Sequence, residues 1–227
     1  MLSKNVGIVS IGQTPRPDIQ SLFNEILGEG YDLSLKGALN DIIFEDVPKF
    51  RDDEYLLMTG VKDRLGKRRG TRVTREFLVP FIQKRIKDLE KENVGFIIIW
   101  CGGRFPEFES TSMVIRPSEI AKGTIESLLK QGKLGVIYPA KEQLIWAEPE
   151  WGRKGIEVYA DSPGSSRNRE EEIKLLAKRL ANKKLDLILL NCAGFGYNMK
   201  KIIQEITQKP VIQLNTLTLR IVKELIL

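Results

Sequence analysis

The sequence predicts an α/β fold of two similar lobes, each a mainly parallel sheet flanked by helices, related by a pseudo-twofold with a cleft between them. Three observations predict it. Short apolar runs alternate along the chain with amphipathic helical stretches, the pattern of a parallel sheet covered on both faces. The run Val94-Gly-Phe-Ile-Ile-Ile-Trp-Cys101-Gly aligns without a gap with Leu185-Asp-Leu-Ile-Leu-Leu-Asn-Cys192-Ala, and Val6-Gly-Ile-Val aligns with Leu134-Gly-Val-Ile. In both halves a strand-like run ends in a cysteine followed by small residues.

Each element follows from local pattern. Residues 6–11 read as a buried strand bounded by Gly12. Pro15, Pro17 and Asp18 lead into a helix with Ile19, Leu22, Phe23, Ile26 and Leu27 at helical spacing, and Gly28 and Gly30 end it. A second strand lies in 31–39. Residues 40–75 break the rhythm. Apolar runs at 55–58 and 71–74 flank a basic stretch containing Gly66 and Gly70, which predicts a β-hairpin or arm inserted in the first lobe. The two echoes have unequal offsets, and this insertion takes up the excess. A helix follows with Phe77, Leu78, Phe81, Ile82, Ile86 and Leu89 on its buried face, then a strand over 96–100. The second half reads as a helix over 117–130 ended by Gly132, a strand over 134–138, a helix over 143–147 and a strand over 156–160. A loop over 161–166 leads to a helix through Ala181, opened by a capping box of Asn168 and Glu171. A strand over 187–190, a helix over about 198–208, a strand over 211–214 and a last helix from Thr216 complete the pattern.

Composition narrows the class. Of the 227 residues, 42% are hydrophobic and 29% charged, which suits a folded globular chain with a core. The longest apolar runs are too short to cross a bilayer, and the first residues lead straight into a strand rather than a signal peptide. Two cysteines make no disulfide framework, so a reducing compartment, the cytoplasm, is expected. The chain has no histidine. That excludes Ser-His-Asp and Cys-His catalysis and histidine-ligated zinc, and leaves Cys, Asp, Glu, Lys and Tyr for proton transfer. The net charge of +6 reads first as a lysine-rich soluble surface, with an anionic substrate or weak nucleic-acid contact as the alternatives.

Ligands of parallel α/β sheets collect at the carboxyl ends of strands, where Cys101 and Cys192 fall. Two thiols placed alike suit a pair of acid/base groups, one taking a proton α to a carboxylate and the other returning a proton to the opposite face. The alternative is that each is a small buried hydrophobe. Gln13, Thr14 and Arg16 lie between the first strand and its helix, where backbone N–H groups and a guanidinium favour a carboxylate or phosphate; a rigid proline-rich turn is the plainer reading. Asn191 beside Cys192, and Asn215-Thr216 after the last strand, are further candidate substrate contacts, the latter pair serving equally as a helix cap. Arg104 lies near Cys101, and Ser110-Thr111-Ser112 form a polar loop. Lys67, Arg68, Arg69, Arg72 and Arg75 form a basic cluster that reads first as a solvated hairpin tip.

Three of these segments carry a family resemblance: Ile11-Gly-Gln-Thr-Pro-Arg-Pro-Asp18, Arg116-Pro-Ser118 and Leu190-Asn-Cys-Ala-Gly-Phe195. They resemble the AroM family over nearly the whole chain, and through it the aspartate/glutamate/hydantoin racemase superfamily. The resemblance implies two α/β lobes with the active site between them. It also implies a C-terminal strand and helix that return to the first lobe, giving lobes of 1–113 plus 211–227 and of 114–210. The superfamily's two catalytic cysteines map onto Cys101 and Cys192. The chain departs from the superfamily pattern in having Gly102-Gly103 after the first cysteine, where Asn-Thr is usual, and Ala193-Gly194 after the second, where Thr-His is usual.

The reading is therefore a cofactor-independent racemase, epimerase or isomerase acting on a small carboxylate, with no metal, and with Cys101 and Cys192 as acid and base. A non-catalytic two-lobed binding protein for a small anionic metabolite is the alternative. Nucleic-acid binding through 64–75 ranks last, no membrane partner is expected, and a homo-oligomer stays open.

Overall fold

The computed structural model describes residues 4–51, 53–164 and 169–226. The chain divides into two compact units, Met1–Pro117 with Thr218–Leu227, and Ser118–Leu217.

In the first unit, strand β1 (Asn5–Ser10) is buried from Val6 onward. Helix α1 (Pro17–Leu27) starts on a proline, whose missing N–H costs nothing in a first turn, and buries Ile19, Leu22, Phe23, Ile26 and Leu27. Strand β2 (Asp32–Gly37) follows, then a 3₁₀ turn at Phe44–Asp46. Strands β3 (Leu56–Lys62) and β4 (Arg68–Thr74) form the antiparallel hairpin expected within 40–75. Asp63 builds its turn. The carboxylate accepts from the Leu65 and Lys67 amides and from Arg69 Nε, while Gly66 takes φ +77°. Helix α2 (Arg75–Glu90) is capped by Thr74, whose hydroxyl accepts from the Phe77 amide. Strands β5 (Phe96–Trp100) and β6 (Met113–Ile115) complete a parallel sheet of order β2-β1-β5-β6. Ile97, Ile98 and Ile99 are fully buried, each contributing about 1.5–3 kcal/mol of transfer free energy.

In the second unit, helix α3 (Pro117–Leu128) precedes strand β7 (Gly132–Ile137). A 3₁₀ turn at Lys141–Trp146 runs into the short helix α4 (Ala147–Trp151), where a single helix over 143–147 was expected. Pro149 has no N–H to continue a helix begun earlier and fits only near a helix start. Strand β8 (Ile156–Asp161), helix α5 (Glu170–Ala181), strand β9 (Leu187–Leu190), helix α6 (Tyr197–Thr207) and strand β10 (Val211–Gln213) follow. All four strands are parallel, in the order β10-β9-β7-β8. Asn168, read as a helix cap, lies outside the described residues, and Arg169 at the N-cap of α5 makes no side-chain cap bond.

The two sheets have one topology. Read from the other edge, β8-β7-β9-β10 repeats β2-β1-β5-β6. The register repeats as well. Val6 pairs with Phe96 in the first sheet, and their echoes Leu134 and Leu187 pair in the second. Strand β6, which the sequence reading passed over, is thus the counterpart of β10.

That correspondence differs from the expected lobes. Strand β10, expected with residues 1–113, pairs with β9 in the second sheet. Only the following helix, α7 (Leu214–Ile226), belongs to the first unit, from Thr218 onward. Likewise α3, which follows β6, belongs to the second unit from Ser118. The polypeptide crosses after the last strand of each sheet, so each unit receives a helix rather than a strand.

Candidate active site

Parallel strands deliver their functional side chains at the carboxyl end, where the chain leaves the sheet. In the first unit that end is built by Ser10, the loop to α1, and Cys101. Cys101 is buried, at 6% exposure, within an apolar cluster that includes Leu57, Val73, Ile99 and Phe105. Its Sγ accepts from the Gly103 N–H at 3.3 Å. Gly103 packs against β3: a Cβ there would lie 2.8 Å from Leu57 Cδ2, which would have to shift. The hairpin therefore lies over the cysteine's own strand end.

The loop after β1 is also tied to the hairpin. Gln13 is buried and spends its carboxamide inside the unit. Nε2 donates to the Leu39 and Ile42 carbonyls, and Oε1 accepts from the Lys62 amide. Thr14 exchanges bonds with Asn40, whose Oδ1 accepts from the Thr14 amide and whose Nδ2 donates to Thr14 Oγ1, each at 2.9 Å. The Thr14–Pro15 peptide is cis. Arg16 holds Asp18 in a bidentate pair and donates through Nη1 to Ser10 Oγ at 3.2 Å. Burial works against the charge on Asp18, but Arg16 and the amides of Asp18 and Ile19 outweigh it and hold the carboxyl below its usual range. Arg104, half-buried, lies in the segment that leaves Cys101.

Ser110, Thr111 and Ser112 are tied down. Glu90 Oε1 accepts from Ser110 Oγ, Thr111 N and Thr111 Oγ1, and Ser112 Oγ donates to the Val94 carbonyl. Against the cost of burial, the Thr111 amide, the two hydroxyls and Lys87 lower the Glu90 carboxyl to about 2. The basic cluster is divided. Arg69 pairs with Asp63 and Arg75 with Glu76, whereas Arg68 points elsewhere.

In the second unit the strand ends gather Tyr138, Asn191, Cys192, Asn215 and Thr216. Cys192 is half-buried, and its Sγ accepts from the Gly194 N–H at 3.3 Å, the same turn as at Cys101. Asn215 Nδ2 donates to the Ala193 and Phe195 carbonyls, and Gln213 Nε2 to those of Phe195 and Gly196. Together these amides fix the loop that presents Cys192. Thr216 Oγ1 donates to the Gln213 carbonyl, and its N–H donates to Asn215 Oδ1. Asn191 is 4% exposed, and among the described residues its Oδ1 has no hydrogen-bond partner. A buried carbonyl left open in this way is costly unless something donates to it.

Tyr138 is a site residue that the sequence reading passed over. It follows β7 directly, is buried, and donates to Glu150 Oε2 at 2.6 Å. Burial, then the charge and hydrogen bond of Glu150, push the phenol well above its usual range, with Trp151 and Asn191 pulling the other way. Tyr138 is therefore a fixed O–H donor at neutral pH. Its place was legible as the residue ending a parallel strand, but its partner Glu150, on a separate short helix, was not.

A shallow hollow lined by residues including Gly132, Gly155, Lys183 and Asp186 sits at the amino ends of β7 and β8, away from Cys192. Among the described residues no helix is long and apolar enough to cross a membrane.

Solved structures share this fold. An allantoin racemase from Klebsiella pneumoniae is 12% identical, with a TM-score of 0.61 over 98% of this chain and 87% of that one. A maleate isomerase from Pseudomonas putida S16 is 13% identical, with a TM-score of 0.62 over 100% and 94%. A glutamate racemase from Bacillus anthracis is 13% identical, with a TM-score of 0.58 over 97% and 80%. No curated protein sequence matches the chain. The family model described as AroM protein matches residues 6–226, and the chain belongs to the AroM family.

Proposed function

We propose that this protein is a cofactor-independent racemase, epimerase or isomerase of a small carboxylate, with Cys101 and Cys192 as its acid/base pair. The observation that supports the reading is the matched turn. Two cysteines end corresponding strands of two sheets with one topology, and each sulfur accepts a backbone N–H from two residues further on at 3.3 Å. A directed N–H is the partner a thiolate takes when it forms. One thiolate removes the α proton, and the other thiol supplies a proton to the opposite face. Nothing is oxidised or reduced, and the two sulfurs end with exchanged protonation states. Asn191, whose Oδ1 is open, is the group of the second unit suited to a substrate donor, and Tyr138, whose one proton goes to Glu150, is hydrogen-bonded to Asn191. That fold neighbours include two racemases and an isomerase agrees with this class of reaction.

The burial of Cys101 in an apolar cluster favours a second reading, in which only Cys192 transfers a proton or the chain binds an anion without chemistry. Incubation with chiral carboxylates and hydantoins in deuterated water, with the α proton followed by NMR, separates the readings. Exchange abolished in both Cys101→Ser and Cys192→Ser supports the two-thiol reaction. Exchange that survives Cys101→Ser leaves Cys192 alone. Absence of exchange with compounds that do bind leaves the binding protein.

A further inference from the structure

The hairpin carries a residue aimed at the same strand end. Gly12, in the loop after β1, has no room for a side chain: a Cβ there would lie 2.5 Å from Thr59 Oγ1 and 3.1 Å from the Gly60 carbonyl of β3. A Cβ on Gly60 would lie 2.6 Å from Arg68 Nε, so the Arg68 side chain lies directly against Gly60. Gly60 pairs across the hairpin with Gly70, and the Arg68 side chain crosses from β4 over the Gly60 backbone of β3. Two successive close approaches thus bring a guanidinium of β4 to the loop that opens α1. There Arg16 is anchored on Ser10 and Asp18. Among the described residues no carboxylate forms an ion pair with Arg68. Partial burial and the positive charge of Arg16 lower the Arg68 guanidinium's basicity, and Asp18 opposes them. Two guanidiniums beside one carboxylate leave a local positive charge at a helix N-terminus, a place that favours an anion.

We infer that Arg68 and Arg16 together form the carboxylate-recognition site of this protein, with Arg68, supplied by the inserted hairpin, as the residue that selects an anionic substrate. Arg16 is held in place by Asp18 and Ser10, and Arg68 offers its planar fork across Gly60. The inference rests on the reading of the chain as acting on a small carboxylate. It gives the insertion a task that the sequence left open, and it separates Arg68 from the solvated charges on either side.

The test is titration calorimetry at low salt with malonate, whose two carboxylates match two guanidiniums, on the full chain. Wild type binds. Arg68→Gln, which keeps most of the aliphatic stem over Gly60 and removes the charge, weakens binding about tenfold or more while the melting temperature without ligand stays put. Gly60→Ala, which displaces the guanidinium, weakens it in the same direction. Arg64→Gln removes an equal charge from the hairpin turn and leaves affinity within about twofold, because diffuse charge is screened. Malonate that does not bind, an Arg68→Gln protein that binds like wild type, or an Arg64→Gln protein weakened as much as Arg68→Gln overturns the inference. Malonate bound through Arg68 by a protein that exchanges no α proton sustains the inference and refutes the catalytic reading, so the two fail separately.

Discussion

The backbone N–H of Gly194 points at the sulfur of Cys192 at 3.3 Å, and Gly103 stands to Cys101 in the same relation at the same distance. The turns match, but their surroundings do not. Cys101 is buried and Cys192 only half-buried. Access limits alkylation before intrinsic reactivity does. Iodoacetamide at neutral pH therefore labels Cys192 first, by roughly tenfold or more in rate, as read by peptide mass spectrometry. Gly194→Pro deletes the donor and slows that labelling. Equal labelling of the two cysteines would contradict the burial difference.

Asn215 acts on Cys192 through the loop it holds. Asn215→Asp exchanges the donor facing the Ala193 and Phe195 carbonyls for an acceptor, setting oxygen against oxygen at a site 2% exposed. Loss of two buried bonds and the new repulsion cost about 2–4 kcal/mol in urea unfolding, with faster alkylation of Cys192 in the folded protein. A stability within 0.5 kcal/mol of wild type, on the order expected of a surface change, would remove Asn215 from this role.

Tyr138→Phe keeps the ring's packing and deletes the O–H held by Glu150. The carboxylate loses its short partner, and stability falls by about 1–3 kcal/mol. In the proposed reaction, α-proton exchange slows while Cys192 alkylation is unchanged. That separates a residue that positions Asn191 from a support of the cysteine loop.

Glu90 makes a prediction about pH. Its folded carboxyl titrates at about 2, below the unfolded value near 4.5. The stability it contributes is therefore fully present above about pH 4.5 and is lost as the pH falls toward 2. Glu90→Gln destabilises the neutral protein by about 1.5–3 kcal/mol, and the gap to wild type narrows on acidification. A gap constant from pH 7 to pH 3, as checked by thermal unfolding, would mean that the Ser110–Thr111 bonds do not favour the charged form.

Much of the fold was legible because buried parallel strands and amphipathic helices impose their periods locally. The face of α1, the hairpin of 56–74 and the paired echoes of β1 with β7 and of β5 with β9 all follow from such runs. The register adds a check the sequence could not supply, since Val6–Phe96 and Leu134–Leu187 are pairings between distant segments. Strand β6 was passed over, whereas β10, equally short, was read from its place between two helices. The candidate site was less legible. Gln13, Thr14 and Asn215 were found by position, but whether their polar atoms face a ligand or the protein depends on Leu39, Asn40, Lys62, Ala193 and Phe195, none of which local pattern connects to them.

By itself the sequence determined the two-fold repetition, the cysteine at the same strand end in each half, and the absence of histidine chemistry, because composition and short-range periodicity carry these. Only the tertiary structure decided that β10 stays with the second sheet while the body of α7 joins the first unit, that Tyr138 meets Glu150, and that Arg68 leaves its charged neighbours to cross Gly60 toward Arg16. Each of these is a packing of segments far apart in the chain, set by close approach and hydrogen bonding that only assembled backbones create.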